Sequence, residues 1–73
     1  MTLNFLKKSQ KGTIIAINAE KVPLKLIEMG CLPGNIVEVL QIAPLSDPIY
    51  IKVNDSFLSI RKDLAKEIEV ELI

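Results

Sequence analysis

The side chains that could perform catalysis are few in this sequence, and none has an activating partner. The chain contains no histidine, although histidine is the commonest general base near neutral pH. Its aspartates fall in predicted turns, where Asp usually hydrogen-bonds the local backbone. The serines are Ser9, Ser46, Ser56 and Ser59, and none has a base at a recognisable catalytic spacing. We therefore expect no catalytic residue and no enzymatic activity.

Metal and cofactor chemistry is equally poorly represented. Cys31 is the only cysteine, and without a second cysteine or a histidine at ligand spacing it does not indicate a metal site. A lone free cysteine usually packs as a small apolar residue, and its being unpaired favours a reducing compartment. The three glycines form no phosphate-binding fingerprint. We predict no metal site and no cofactor.

The most specific local signal is the segment Lys25-Leu-Ile-Glu-Met-Gly-Cys-Leu-Pro-Gly34. In structural terms it reads as a helix that stops at Gly30 and turns into the next strand. Leu32, however, lies where a polar residue would be usual, and exposed apolar patches mark partner sites. We predict a partner-binding patch, called the predicted patch below, formed by Lys25, Cys31, Leu32, Pro44 and Leu45. For Cys31, packing in the core is the alternative.

Short elements, separated by turn residues at regular intervals, position these residues. This pattern is typical of a small β-barrel or β-sandwich, and five short strands with a helix in the first long loop favour a small SH3-like barrel. The predicted strands cover residues 13–17, 36–42, 49–53, 56–60 and 68–72, and the predicted helical pieces cover 3–8, 23–29 and 61–66. Strand 36–42 changes phase after Val39, which indicates a bulge. Asn54-Asp55 is a two-residue hairpin turn. Leu24 and Ile27 should face the core, and so should Leu72.

Composition limits the classes of protein further. A chain of 73 residues holds one domain, here residues 1–73, and its net charge of zero argues against a nucleic-acid binder. The same neutrality leaves self-association open. Three aromatic residues are too few for a groove that binds proline-rich peptides. The longest apolar run, residues 14–17, is far short of the roughly 20 residues that span a bilayer, and no signal peptide is visible. We expect a soluble intracellular protein without membrane insertion.

Several motifs in order resemble one known family. Residues 25–34 resemble its R-L-x-E-L-G-L-x-P-G segment, and Ala43-Pro-Leu-Ser-Asp-Pro48 resembles its A-P-x-G-D-P loop. Ile60-Arg61, followed by Asp63, Ala65 and Ile68, is similar to its L-R-x-x-x-A-x-x-I ending. Together they resemble the ferrous iron transport protein A (FeoA) family from about Leu3 to Val70. Departures are Lys25 where the family generally has Arg, Cys31 for Leu and Ser46 for Gly.

The resemblance implies an SH3-like barrel of about five strands in the bacterial cytoplasm. It also implies an accessory role in ferrous iron uptake, in which the chain binds the transporter FeoB, a membrane protein with a cytoplasmic GTP-binding domain, and is recruited by it to the inner face of the membrane. Arg61 matches the family and is expected to fix the last turn or to form a surface ion pair. The alternative is a metal-linked regulatory module resembling the C-terminal domain of diphtheria-toxin-repressor-type repressors.

Overall fold

Five strands form one antiparallel sheet in the computed structural model, which describes residues 1–73. The strands are β1 (Lys11–Ile17), β2 (Ile36–Ile42), β3 (Ile49–Val53), β4 (Ser56–Ile60) and β5 (Ile68–Leu72), in the order β4-β3-β2-β1-β5. The helices are α1 (Leu24–Glu28) and α2 (Lys62–Ala65), with 3₁₀ turns at Leu3–Phe5 and Pro44–Ser46. The predicted mainly β fold with its short helical pieces is confirmed. The sheet is not closed, so β4 and β5 are its edges.

Alternating apolar residues explain why these segments pair as strands. In β3, Ile49, Ile51 and Val53 are buried while Tyr50 faces outward. The register places Val53 opposite Val37 of β2, so inward-facing side chains meet inward-facing side chains across the sheet. Such cross-strand pairs are the unit of sheet stabilisation, and these aliphatic rows form the centre of the core.

The predicted change of phase in β2 is confirmed as an irregularity in its pairing with β3. The register shifts between Val39 and Gln41, and a similar shift between Ile14 and Ala16 interrupts the pairing of β1 with β5. A bulge bends a strand and increases its twist. These two positions therefore curve the sheet around the core, which Leu3 and Leu6 of the N-terminal segment cover.

The segment after α1 is shaped by two glycines with positive φ. Gly30 has φ 114° and Gly34 has φ 98°, a region that favours glycine. The Gly30 carbonyl accepts a hydrogen bond from Asn35 Nδ2 at 2.7 Å. A Cβ at Gly30 would collide with the side-chain amide of Asn54, whereas a Cβ at Gly34 would meet nothing within 4 Å. Only Gly30 is thus required both by its backbone and by its surroundings.

Two predicted core positions are wrong. Leu24 is 68% exposed, and Leu26 packs against the core with Ile27 instead. A helix of five residues is little more than one turn, so the flanking chain sets which face is buried. Leu72 is 47% exposed because it ends an edge strand opposite Gly12, which offers no side chain to pack against.

Candidate partner-binding groove

An open groove of about 630 Å³ lies between α1, the end of β4 and α2, and we call it the α1–α2 groove. Its lining residues are Lys21, Pro23, Lys25, Leu26, Ser59, Ile60, Arg61, Asp63, Leu64 and Glu67. The apolar members are Leu26, Ile60 and Leu64, and all three belong to the core or pack against it. The groove is therefore a place where the core comes close to the surface, framed by charged side chains.

Hydrogen bonds tie the segment before α1 to the far wall of the groove. The Asn18 carbonyl accepts hydrogen bonds from the amides of Lys21 and Val22, both at 2.9 Å. The Asn18 side chain donates from Nδ2 to Glu67 Oε1 at 3.0 Å, and the Asn18 amide donates to the Glu67 carbonyl at 3.0 Å. Asn18 and Glu67, which are far apart in sequence, thus fix the segment before α1 against the segment after α2.

The α2 wall is anchored at its N-terminal end by backbone contacts. The Arg61 carbonyl accepts hydrogen bonds from the amides of Leu64 and Ala65, both at 3.0 Å. The Lys62 amide donates to Asp47 Oδ1 at 3.0 Å, which joins α2 to the β2–β3 loop. Ala65 is fully buried, so this turn of α2 packs directly against the core. The first turn of α2 therefore has little freedom relative to the sheet.

Arg61 fixes the last turn through its backbone rather than through its side chain. The only ion pair in the structure joins the N-terminal ammonium to Glu69, so the predicted surface ion pair of Arg61 is wrong. The guanidinium remains exposed on the rim of the groove. Arg61 and Ser59 also line a smaller cavity of about 300 Å³ with Asp47 and Pro48. The arginine thus sits between two adjoining depressions and has no carboxylate of its own.

The structure separates the members of the predicted patch. Lys25 lines the α1–α2 groove, whereas Leu32, Pro44 and Leu45 are exposed outside it. Cys31 is fully buried, which confirms that it packs in the core and shows that its placement in an exposed patch is wrong. The chain reverses at Gly30, and the Cys31 amide donates to the Leu26 carbonyl at 3.0 Å. That turn directs the thiol into the core. Partner binding by the other four residues stays a prediction.

Leu45 is the most exposed apolar residue of the chain. It is 98% exposed and has φ 68°, in the left-handed region that costs a non-glycine residue about 1–2 kcal/mol. The loop is closed by a hydrogen bond from the Ala43 amide to the Pro48 carbonyl at 3.0 Å. The loop therefore holds a large apolar side chain out into solvent.

The groove is lined by apolar, charged and hydroxyl side chains and by Pro23, and no cysteine or histidine lines it. Burial raises the pKa of the Cys31 thiol, and a protonated, buried thiol is a poor nucleophile. No group of three or more His, Cys, Asp and Glu side chains is arranged to hold a metal ion. None of the helices combines the length and the apolar character that crossing a bilayer requires.

Sequence reasoning identified one of the groove residues, Lys25, and missed its apolar floor. Leu26 was overlooked because the predicted helix face ran through Leu24. Ile60 and Leu64 are apolar residues of a strand and a short helix, and nothing in their local sequence distinguishes them from ordinary core residues. A usable signal was that Arg61 is the only arginine of the chain and directly follows a strand.

Comparison with known proteins agrees with this architecture. The chain matches the family model for the FeoA domain over residues 1–72. A putative Fe(2+) transport protein A of Campylobacter jejuni is 34% identical over 74 residues, and the match covers 100% of both chains. A Fe(2+) transport protein A/Fe(2+) transporter FeoB fusion protein of Porphyromonas gingivalis is 38% identical over 74 residues, which are 100% of this chain and 9% of the fusion protein.

Solved structures agree as well. The structure of a FeoA-like protein from Clostridium acetobutylicum matches with a TM-score of 0.88 and 34% identity, over 100% of this chain and 86% of the other. Stenotrophomonas maltophilia FeoA, described as a prokaryotic SH3 domain protein, matches with a TM-score of 0.84 at 21% identity, over 97% of this chain and 89% of the other. That second likeness shows the fold alone.

The fold places the chain among small SH3-like β domains, as predicted. Within that class, the chain belongs to the FeoA family, which is associated with ferrous iron transport. The resemblance drawn from the motifs is thereby confirmed.

Proposed function

We propose that this chain is a cytoplasmic accessory protein of ferrous iron uptake that binds the cytoplasmic part of a FeoB-type transporter. The observation that carries the proposal is the Porphyromonas gingivalis fusion protein, in which a segment similar to this chain is joined to FeoB. Joining two modules raises their effective concentration, to the millimolar range for short flexible linkers. A fusion of this kind is useful where the two parts act in contact.

The α1–α2 groove supports the proposal as the docking surface. It offers an apolar floor of Leu26, Ile60 and Leu64 within a charged rim, and interfaces commonly combine an apolar centre with a polar rim. Arg61 and Lys25 have no ion pair within the chain, so both are available to a carboxylate on a partner. The domain would then act by contact, recruited to the inner face of the membrane by the transporter.

The direct test is calorimetric titration of this chain into the purified full-length transporter, with and without a non-hydrolysable GTP analogue. We expect saturable binding that Arg61→Glu and Lys25→Glu weaken. Lys8→Glu is the matched control, since it makes the same change of charge at an exposed residue outside the groove. Binding that differs between nucleotide states would indicate a regulator, and equal binding a scaffold. No binding in either state would refute the proposal.

The same proposal has a cellular readout. Deleting the gene should lower ferrous iron uptake under iron limitation, and unchanged uptake would count against an accessory role. The alternative, a metal-linked regulatory module, stays a prediction. Titration with Fe(II) or Mn(II) tests it, and saturable binding with a defined stoichiometry would support it.

A further inference from the structure

The two edges of the sheet are protected very differently. At the β5 edge, the N-terminus lies against the strand: the Val70 amide donates to the Met1 carbonyl at 2.8 Å, and Thr2 forms a bridge to Glu69. Glu69 and Glu71 also place negative charge along this strand. Covering and charging an edge are the usual means of preventing it from pairing with another chain.

The β4 edge has none of these protections. Its sequence Ser56-Phe-Leu-Ser-Ile60 contains no charge and no proline. β4 pairs only with β3, and no other segment of the chain makes a backbone hydrogen bond to it. Phe57 is also a large, exposed aromatic residue. An uncharged strand with one free side is a template for a further strand.

The register shows which backbone groups face outward. Antiparallel partners alternate between pairs that exchange hydrogen bonds and pairs that do not. The two-residue turn makes Val53–Ser56 a hydrogen-bonded pair, and Phe57 and Ser59 then fall in the non-bonded pairs with Lys52 and Tyr50. The amides and carbonyls of Phe57 and Ser59 therefore point away from β3, towards the free edge.

This edge adjoins the α1–α2 groove. Ser59 lines both that groove and the smaller cavity beside the β2–β3 loop. A strand that paired with Ser59 would lie next to the apolar side chains of the groove and to its rim. In strand addition, backbone hydrogen bonds provide affinity while pockets for alternate side chains provide specificity.

The charges of the rim indicate the composition of such a strand. Lys21, Lys25 and Arg61 line the groove together with Asp63 and Glu67. Glu67 accepts a hydrogen bond from Asn18, and neither the three cations nor Asp63 has an ion-pair partner. Because three cations face two carboxylates on the rim, a carboxylate would be attracted beside Lys25 or Arg61, and a lysine or arginine would be repelled there.

We propose that the free edge of β4 captures an extended segment of the partner by strand addition, and that this segment alternates apolar with acidic residues. This inference rests on the proposed function, because the captured segment would belong to the cytoplasmic part of the transporter. Apolar side chains of the segment contact the floor of the α1–α2 groove, and its carboxylates pair with Arg61 and Lys25. The Phe57 and Ser59 amides donate to the backbone carbonyls of the added strand.

Proline offers a test specific to the backbone. Ser59→Pro removes an amide that points away from β3, so it deletes no hydrogen bond within the sheet, and edge positions of this kind tolerate proline. Ser59→Ala, the matched control, removes the hydroxyl and keeps the amide. Titrated into the full-length transporter, Ser59→Pro should weaken binding about tenfold and Ser59→Ala less than about twofold, as expected for the loss of backbone hydrogen bonding alone.

Hydrogen exchange gives a second readout on the unmodified chain, which decides the matter even if Ser59→Pro fails to fold. The Phe57 and Ser59 amides should exchange rapidly in the free protein and be protected in the complex. If the transporter binds while these amides stay unprotected, or while a folded Ser59→Pro binds normally, strand addition is refuted and the proposed function stands. If these amides became protected in the chain alone as its concentration rose, the edge would pair with a second copy of this chain, and the proposed capture of a transporter segment would be overturned. Absence of any binding would overturn both proposals.

Discussion

Replacing Gly30 by alanine tests how the loop after α1 is held against the β3–β4 turn. Gly30 has φ 114°, a conformation that strains an L-residue by roughly 1–3 kcal/mol. The new methyl group would also collide with the side-chain amide of Asn54, which must move. We expect Gly30→Ala to lower the free energy of unfolding by about 2–3 kcal/mol, summed from strain and displacement.

This loss is large for so small a domain. At about 0.05–0.15 kcal/mol per residue, a chain of 73 residues has a total stability of roughly 4–11 kcal/mol. A change of 1 kcal/mol shifts the melting temperature of a domain of this size by roughly 4–8 °C. Urea denaturation followed by circular dichroism, together with a thermal scan, would measure the effect.

Gly34 provides the matched control. It also has positive φ, at 98°, but a methyl group there would meet nothing within 4 Å. Gly34→Ala therefore measures backbone strain alone, and the difference between the two variants measures the collision. Adding Asn54→Gly should recover most of that difference. If Gly30→Ala costs no more than Gly34→Ala, or if Asn54→Gly recovers nothing, the contact between loop and turn contributes nothing and the reasoning is wrong.

Three further predictions concern single side chains. Burial raises the pKa of Cys31, so the thiol ionises in the unfolded chain at a lower pH than in the folded one. The free energy of unfolding should therefore fall as pH rises above about 8.5. Urea denaturation across that range should show this fall in the parent, and Cys31→Ala should lack the part of it that the thiol causes. Leu45→Asn should stabilise the protein by about 0.5–1 kcal/mol, since Asn adopts left-handed φ more readily and no buried contact is lost; a stability equal to that of the parent would contradict the strain argument. Ile51→Ala should lower the free energy of unfolding by about 2–5 kcal/mol, whereas Leu24→Ala should lower it by less than about 0.5 kcal/mol. If both substitutions lowered it by similar amounts, α1 would be rotated from the orientation described.

Much of the sheet could be predicted from the sequence because its signals are local. The alternation of Ile49, Ile51 and Val53 and the Asn54-Asp55 turn fix one hairpin within a dozen residues. The change of phase after Val39 likewise predicts the bulge at the same position in the strand. In each case neighbouring residues along the chain carry all the information that the structure uses.

The groove could not be predicted in the same way. A helix as short as α1 has too few turns for its sequence to define a buried face. The sequence therefore predicts Leu24 in the core, whereas the structure packs Leu26 there. The burial of Cys31 depends on the reversal at Gly30, whose carbonyl accepts a hydrogen bond from the Asn35 side chain and whose Cα leaves no room for a side chain beside Asn54. Features that arise where distant segments meet have no local pattern to reveal them.

One consequence of the groove's construction concerns when it exists. Its walls come from residues 21–26 and 59–67, so a nascent or unfolded chain has no groove at all. Occupancy and folding are therefore coupled equilibria. A partner present at 100 times its dissociation constant would add about 2.7 kcal/mol to the stability of the folded chain, a substantial fraction of the total for a domain of this size. Under the proposed function, the unbound protein should be the form more susceptible to proteolysis, so its amount in the cell would follow the amount of the transporter.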